Sequence, residues 1–90
     1  MPDRKELVRN EILLQCYGYR PQPRDCQRMA AQARREGELS DATAAEFKIE
    51  SAYLVDKAFL REVRDEIAQA HQRYALTAAG TEYVERSGLV

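Results

Sequence analysis

Tryptophan is absent from this chain and histidine occurs once, at His71. Cysteine is nearly absent too: Cys16 and Cys26 stand alone, with no CxxC spacing. A zinc site takes about four ligands in tight spacing, so two cysteines and one histidine do not make a metal centre. Both cysteines read as small hydrophobes, and a disulfide is not expected in a reducing compartment. The four glycines are scattered, which excludes a Gly-rich phosphate cradle. No apolar run approaches the ~18 residues of a membrane span. The N-terminus, MPDRKELVRN, lacks the apolar core of a signal peptide. Charge of one sign is missing as well: 14 Lys+Arg against 15 Asp+Glu leave a net charge of −1. No global field draws such a chain to nucleic acid or membrane, so any charged binding face must be local. No Ser, Cys or carboxylate stands in a spacing that marks a nucleophile with its base. The expectation is a cytoplasmic protein that is not an enzyme, with no catalytic residue, no cofactor, no metal and no membrane partner.

With 44% apolar and 32% charged residues, the 90 residues read as one globular domain, 1–90, around a modest core. The first helix is predicted over 3–16. Asp3 caps it, Leu7, Val8, Ile12, Leu14 and Cys16 form its apolar face, and Gly18 stops it. Tyr19 to Pro23 holds two prolines and reads as extended, a minimal first strand. A second helix starts near Pro23 or Arg24, with Asp25 in its first turn. Its stripe is Cys26, Met29, Ala30 and Ala33, at i, i+3, i+4, i+7, and Gly37 ends it. After a turn over 37–42, a capping box, Thr43 to Glu46, opens a third helix running to about Lys57.

From there periodicity permits two folds. Val55, Phe59, Val63, Ile67, Ala70 and Tyr74 are spaced 4, 4, 4, 3 and 4, and no Gly or Pro lies between Ala58 and Ala79. Residues 43–76 could therefore form one long helix in an all-α protein. The other reading takes Phe59 to Arg64 as a strand, 65–72 as a loop and Arg73 to Thr77 as a second strand, with Tyr74 and Leu76 on one face. Thr77 then caps a last helix over 78–87 that returns Tyr83 and Val84 to the core.

The phrases YLVDKAFL (53–60) and RYALTAAG (73–80) favour the second reading. They resemble the "YLxDKGxL" and "RYxLTxxG" phrases of winged helix-turn-helix domains, above all the short winged-helix proteins of phages and prophages. The resemblance implies an α+β fold: a three-helix core, a two-stranded wing and a short C-terminal helix. Ala58 stands where the family has Gly, which predicts a turn made without positive φ.

The resemblance also implies a small DNA-binding, transcriptional regulator-like protein whose partner is double-stranded DNA. In that role Arg28 and Arg34 touch phosphates, Lys48 enters the major groove, and Arg61, Arg64 and Arg73 form the wing contact. The residues themselves argue against it. With Phe47, Ser51, Leu54 and Ala58 facing the core, the outer face of the third helix carries Ala45, Ile49, Ala52 and Asp56, flanked by Lys48 and Tyr53. Base readout leans on Arg, Lys, Asn and Gln, and phosphates would repel Glu46, Glu50 and Asp56. The alternative is an interaction or dimerisation module without DNA binding, whose contact is Ala45, Ile49 and Ala52. Ile49 discriminates: it is either buried against a neighbouring helix or the anchor for a second chain.

Overall fold

Asp3 starts the first helix: its carboxylate accepts a hydrogen bond from the Glu6 amide at 2.8 Å. Helix α1 then spans Arg4–Gly18, with Gly18 its last residue and Tyr19 its C-cap. The computed structural model describes residues 3–36, 39–64 and 72–90. The segment expected as the first strand is a turn instead, because the Gln22 amide bonds back to the Tyr19 carbonyl at 2.7 Å. Strand β1 is displaced to Arg24–Asp25. Helix α2, Cys26–Glu36, therefore begins later than expected. Asp25 lies just outside it, and its carboxylate accepts from the Arg28 amide at 2.8 Å. Gly37, its expected stop, lies outside the described residues.

Helix α3 spans Ala44–Asp56 and is capped by Thr43, whose hydroxyl accepts from the Glu46 amide at 3.2 Å. Only this half of the expected capping box forms. The Glu46 carboxylate turns to Arg4, which grips both its oxygens through Nε and Nη2 at 2.8 Å each.

The long helix does not form, and the reason is local. Ala58 sits at φ 65°. Its amide bonds to the Val55 carbonyl at 2.9 Å, and the Phe59 amide bonds to the Leu54 carbonyl at 3.0 Å. This crossed pair is a Schellman stop with alanine in the left-handed position. The expectation that the turn avoids positive φ is thus wrong: the backbone takes the glycine conformation without the glycine.

Strand β2, Leu60–Val63, and strand β3, Arg73–Leu76, follow and pair antiparallel. Their register sets Leu60 opposite Leu76, Arg61 opposite Ala75, Glu62 opposite Tyr74 and Val63 opposite Arg73. β1 joins the other edge of β3, antiparallel, so the sheet order is β1-β3-β2. The loop expected over 65–72, with His71 in it, lies outside the described residues except Gln72. The Gln72 amide donates to Glu62 at 2.8 Å. Helix α4, Ala78–Arg86, closes the chain. Among the described residues the architecture is α+β: four helices on a three-stranded antiparallel sheet.

One junction ties the two halves of the sequence phrase together. The Thr77 hydroxyl donates to the Ala58 carbonyl at 2.6 Å and accepts from the Gly80 amide at 3.0 Å, capping α4 as expected. The Thr77 amide donates to the Phe59 carbonyl at 3.1 Å. Gly80 packs flat on that same carbonyl; a Cβ there would stand 2.1 Å from its oxygen.

The core draws Val8, Ile12, Leu13 and Cys16 from α1, Met29, Ala30 and Ala33 from α2, and Phe47 and Leu54 from α3. Leu39 and Ala42 of the turn, Leu60, Tyr74 and Val84 complete it. Leu13 replaces Leu14, which is half-buried. Ala58 is exposed rather than core-facing. Tyr83 stays outside the core, stacked on Phe59 with ring centroids 4.5 Å apart. Both cysteines are free thiols. Cys16 is buried and Cys26 half-buried, and burial pushes the Cys16 thiol up to about 12. Among the described residues no helix is long and apolar enough to cross a membrane.

Candidate interaction face on helix α3

Helix α3 meets the core along Phe47, Glu50, Ser51 and Leu54, a stripe at i, i+3, i+4, i+7. The second member is a carboxylate. Glu50 is buried and accepts from Arg9 Nε on α1 at 2.7 Å, with only 7% of its side chain exposed. The Arg9 guanidinium also lies over the Tyr53 ring, 3.5 Å from its centroid. At the start of the helix, Arg4 pairs with both Glu46 and Asp41 at 2.8 Å. The Arg4 hydrogen bonds hold both carboxyls below their usual range. Two arginines of α1 thus draw Glu46 and Glu50 away from the outer face. The repulsion that these two residues were expected to exert there is removed.

What remains outside is Ala45, Lys48, Ile49, Ala52 and Asp56, with Tyr53 at the edge; all are exposed. Ile49 is the most exposed large hydrophobic residue among those described, at 67%. Its burial against a neighbouring helix, one of the two expected outcomes, does not occur. Lys48 and Asp56 have no ion pair among the described residues, and lie one turn either side of Ala52.

The expected cationic site is not brought together. Arg28 is exposed and pairs with Asp25 at 3.5 Å. Arg34 is exposed, but its Nη1 donates to the Ala42 carbonyl at 2.7 Å and ties α2 to the turn before α3. Arg64 pairs with Glu62 at 2.9 Å. The strand register sets Arg61 and Arg73 as diagonal neighbours on one sheet face, with Arg64 on the other side of the alternation. Arg73 is half-buried on the central strand. Of these six cations, Arg34, Lys48 and Arg61 are exposed with no ion pair among the described residues, and Arg34 is held on a backbone carbonyl.

The sequence reading missed Arg4, Arg9 and the burial of Glu50. For Glu50 a signal existed, since an acid inside the apolar stripe begun by Phe47 requires a buried cation. Nothing local marks Arg9, whose partner is 41 positions away. A cleft of about 360 Å³ opens beside this pair, between α1, the end of α3 and α4. Asp3 and Glu6 line it together with Arg9 and Lys57, so its rim favours neither ligand charge. Among the described residues no group of three or more His, Cys, Asp or Glu could hold a metal ion. Comparison of the chain with protein-family models, with curated proteins and with solved structures gives no match.

Proposed function

We propose that this chain is a winged-helix domain of the phage or prophage type that works by protein contact through the outer face of α3. The winged-helix reading is supported by the element order helix, short strand, helix, helix, strand, strand, helix, and by the β1-β3-β2 sheet. It is supported also by the meeting of the two resembling phrases at Ala58, Thr77 and Gly80. The observation that carries the contact reading is Ile49, 67% exposed between exposed Ala45 and Ala52 on a helix whose other faces are packed. Covering such a side chain contributes about 1.5–3 kcal/mol, whereas in a DNA groove it offers only a methyl contact.

DNA binding is the second reading, and one observation favours it: Glu46 and Glu50 are held back by Arg4 and Arg9, leaving Lys48 exposed on the same helix. Titration with random-sequence duplex at low salt separates the two. Protein contact predicts no binding. Salt-dependent binding weakened by Lys48→Ala and by Arg61→Ala would replace the proposal with the DNA-binding regulator.

A further inference from the structure

The outer face of α3 has an internal symmetry that selects its partner. Lys48, Ala52 and Asp56 follow one another at i, i+4, i+8 and form a single ridge; Ala45, Ile49 and Tyr53 form the ridge beside it. Lys48 and Asp56 lie about 6 Å before and after Ala52 along the helix axis. Each is exposed, and neither has an ion pair among the described residues. Asp56 is also the last residue of α3, where the helix dipole disfavours an anion. The face is thus basic on one side of a small residue, acidic on the other, and apolar beside it.

We propose that this face docks on a second copy of the chain, antiparallel, with the two-fold axis at Ala52. An isologous pair brings each position before the axis opposite the equivalent position after it. Lys48 then meets the partner's Asp56, and the same pair recurs at the other end. The small side chains of Ala45 and Ala52 let the helices approach to about 8 Å. Each Ile49 is covered beside the partner's Ala52, and the anion at the helix end gains a cation. An unrelated partner could cover Ile49, but a second copy alone supplies both charges in reversed order without further assumption. This inference rests on the protein-contact reading and names its partner.

Sedimentation of the full chain over a range of concentrations tests it, with circular dichroism to verify folding. The wild type should self-associate. Lys48→Glu sets carboxylate against carboxylate at both ends, and Asp56→Lys sets ammonium against ammonium. Each variant alone should associate about tenfold more weakly or less. Mixed in equal amounts the two should form a heterodimer, because every facing pair is again of opposite sign. A monomeric wild type overturns the second-copy proposal, and if it also ignores duplex DNA the protein-contact reading stands with another partner. A wild-type dimer insensitive to Ile49→Glu overturns the choice of face. A dimer that Ile49→Glu breaks but the mixed variants do not restore overturns the register at Ala52.

Discussion

Replacing Ala58 by glycine should stabilise this protein. Ala58 occupies the left-handed position of the stop after α3, at φ 65°. An L-residue with a Cβ is disfavoured there by roughly 1–2 kcal/mol, a cost glycine does not carry. Against this, glycine widens the unfolded ensemble, which costs about 0.4–1 kcal/mol. The methyl group is exposed, so removing it opens no cavity. The groups that fix the turn are backbone atoms and remain: the Ala58 amide on Val55, the Phe59 amide on Leu54, and the Ala58 carbonyl under Thr77. The net gain is then about 0.5–1 kcal/mol. For a domain of this size each kcal/mol moves the melting midpoint by about 4–8 °C, so Ala58→Gly should melt several degrees higher. Urea unfolding should show a raised midpoint and an unchanged slope, since the surface exposed on unfolding is the same. Ala58→Val supplies the opposite sign, because a β-branched side chain tolerates positive φ worst. A glycine variant that melts with or below the wild type would refute the strain assigned to this turn.

Gly80→Ala should destabilise by about 2–3 kcal/mol, since its Cβ would meet the Phe59 carbonyl at 2.1 Å and backbone must move; chemical denaturation reads this directly. Thr77→Ala removes a helix cap and a bond to the Ala58 carbonyl together, and should cost about 1–2 kcal/mol; an unchanged midpoint would refute the junction. Arg9→Ala leaves the Glu50 carboxylate buried without its cation and should cost about 3 kcal/mol, part of which Glu50→Gln in the same chain should restore. In acid, Glu46 and Asp41 contribute a further loss. Hydrogen bonds from Arg4 hold both carboxyls below their ordinary values of 4.5 and 3.8, so the stabilisation is present above those values and lost as pH falls through the lower folded ones. Arg4→Ala should flatten that part of a pH-dependent melting series.

Helices with a cap and a stripe were legible in the sequence. Asp3, Thr43 and Thr77 each cap the helix expected of them, and the Met29, Ala30, Ala33 stripe faces the core. The hairpin was legible only through the resembling phrase, because the spacing from Val55 to Tyr74 satisfies a helix equally well. What broke the tie physically is the stop at Ala58, and an alanine at positive φ gives no sequence sign of itself. Charge was the least legible feature. Glu46 reads as half of a capping box and Glu50 as an acid that repels phosphates, yet both answer to arginines of the first helix, 42 and 41 positions away. Arg34 reads as a phosphate ligand but bonds a carbonyl eight positions on. Charges are placed by tertiary partners, and no local pattern names those partners. The candidate face was legible as the Ala45, Ile49, Ala52 stripe; that it meets solvent required the packing of α3 against α1 and α2.

The bond from Thr77 to Ala58 spans 19 positions, and strands β2 and β3 rise from it as a base. The exit of α3 and the entry of α4 are fixed to each other there, independently of what the chain does further out. Residues inserted between β2 and β3 therefore lengthen a closed excursion rather than push two helices apart. Their cost is that of a longer loop, about 0.6 kcal/mol for each doubling. A single residue inserted at 57–59 or 77–80 would instead break the clasp itself. The reach of the hairpin is in this sense a dimension that evolution or an engineer can reset, by grafting a longer or differently charged tip, while the helical body below keeps its shape and its exposed third helix.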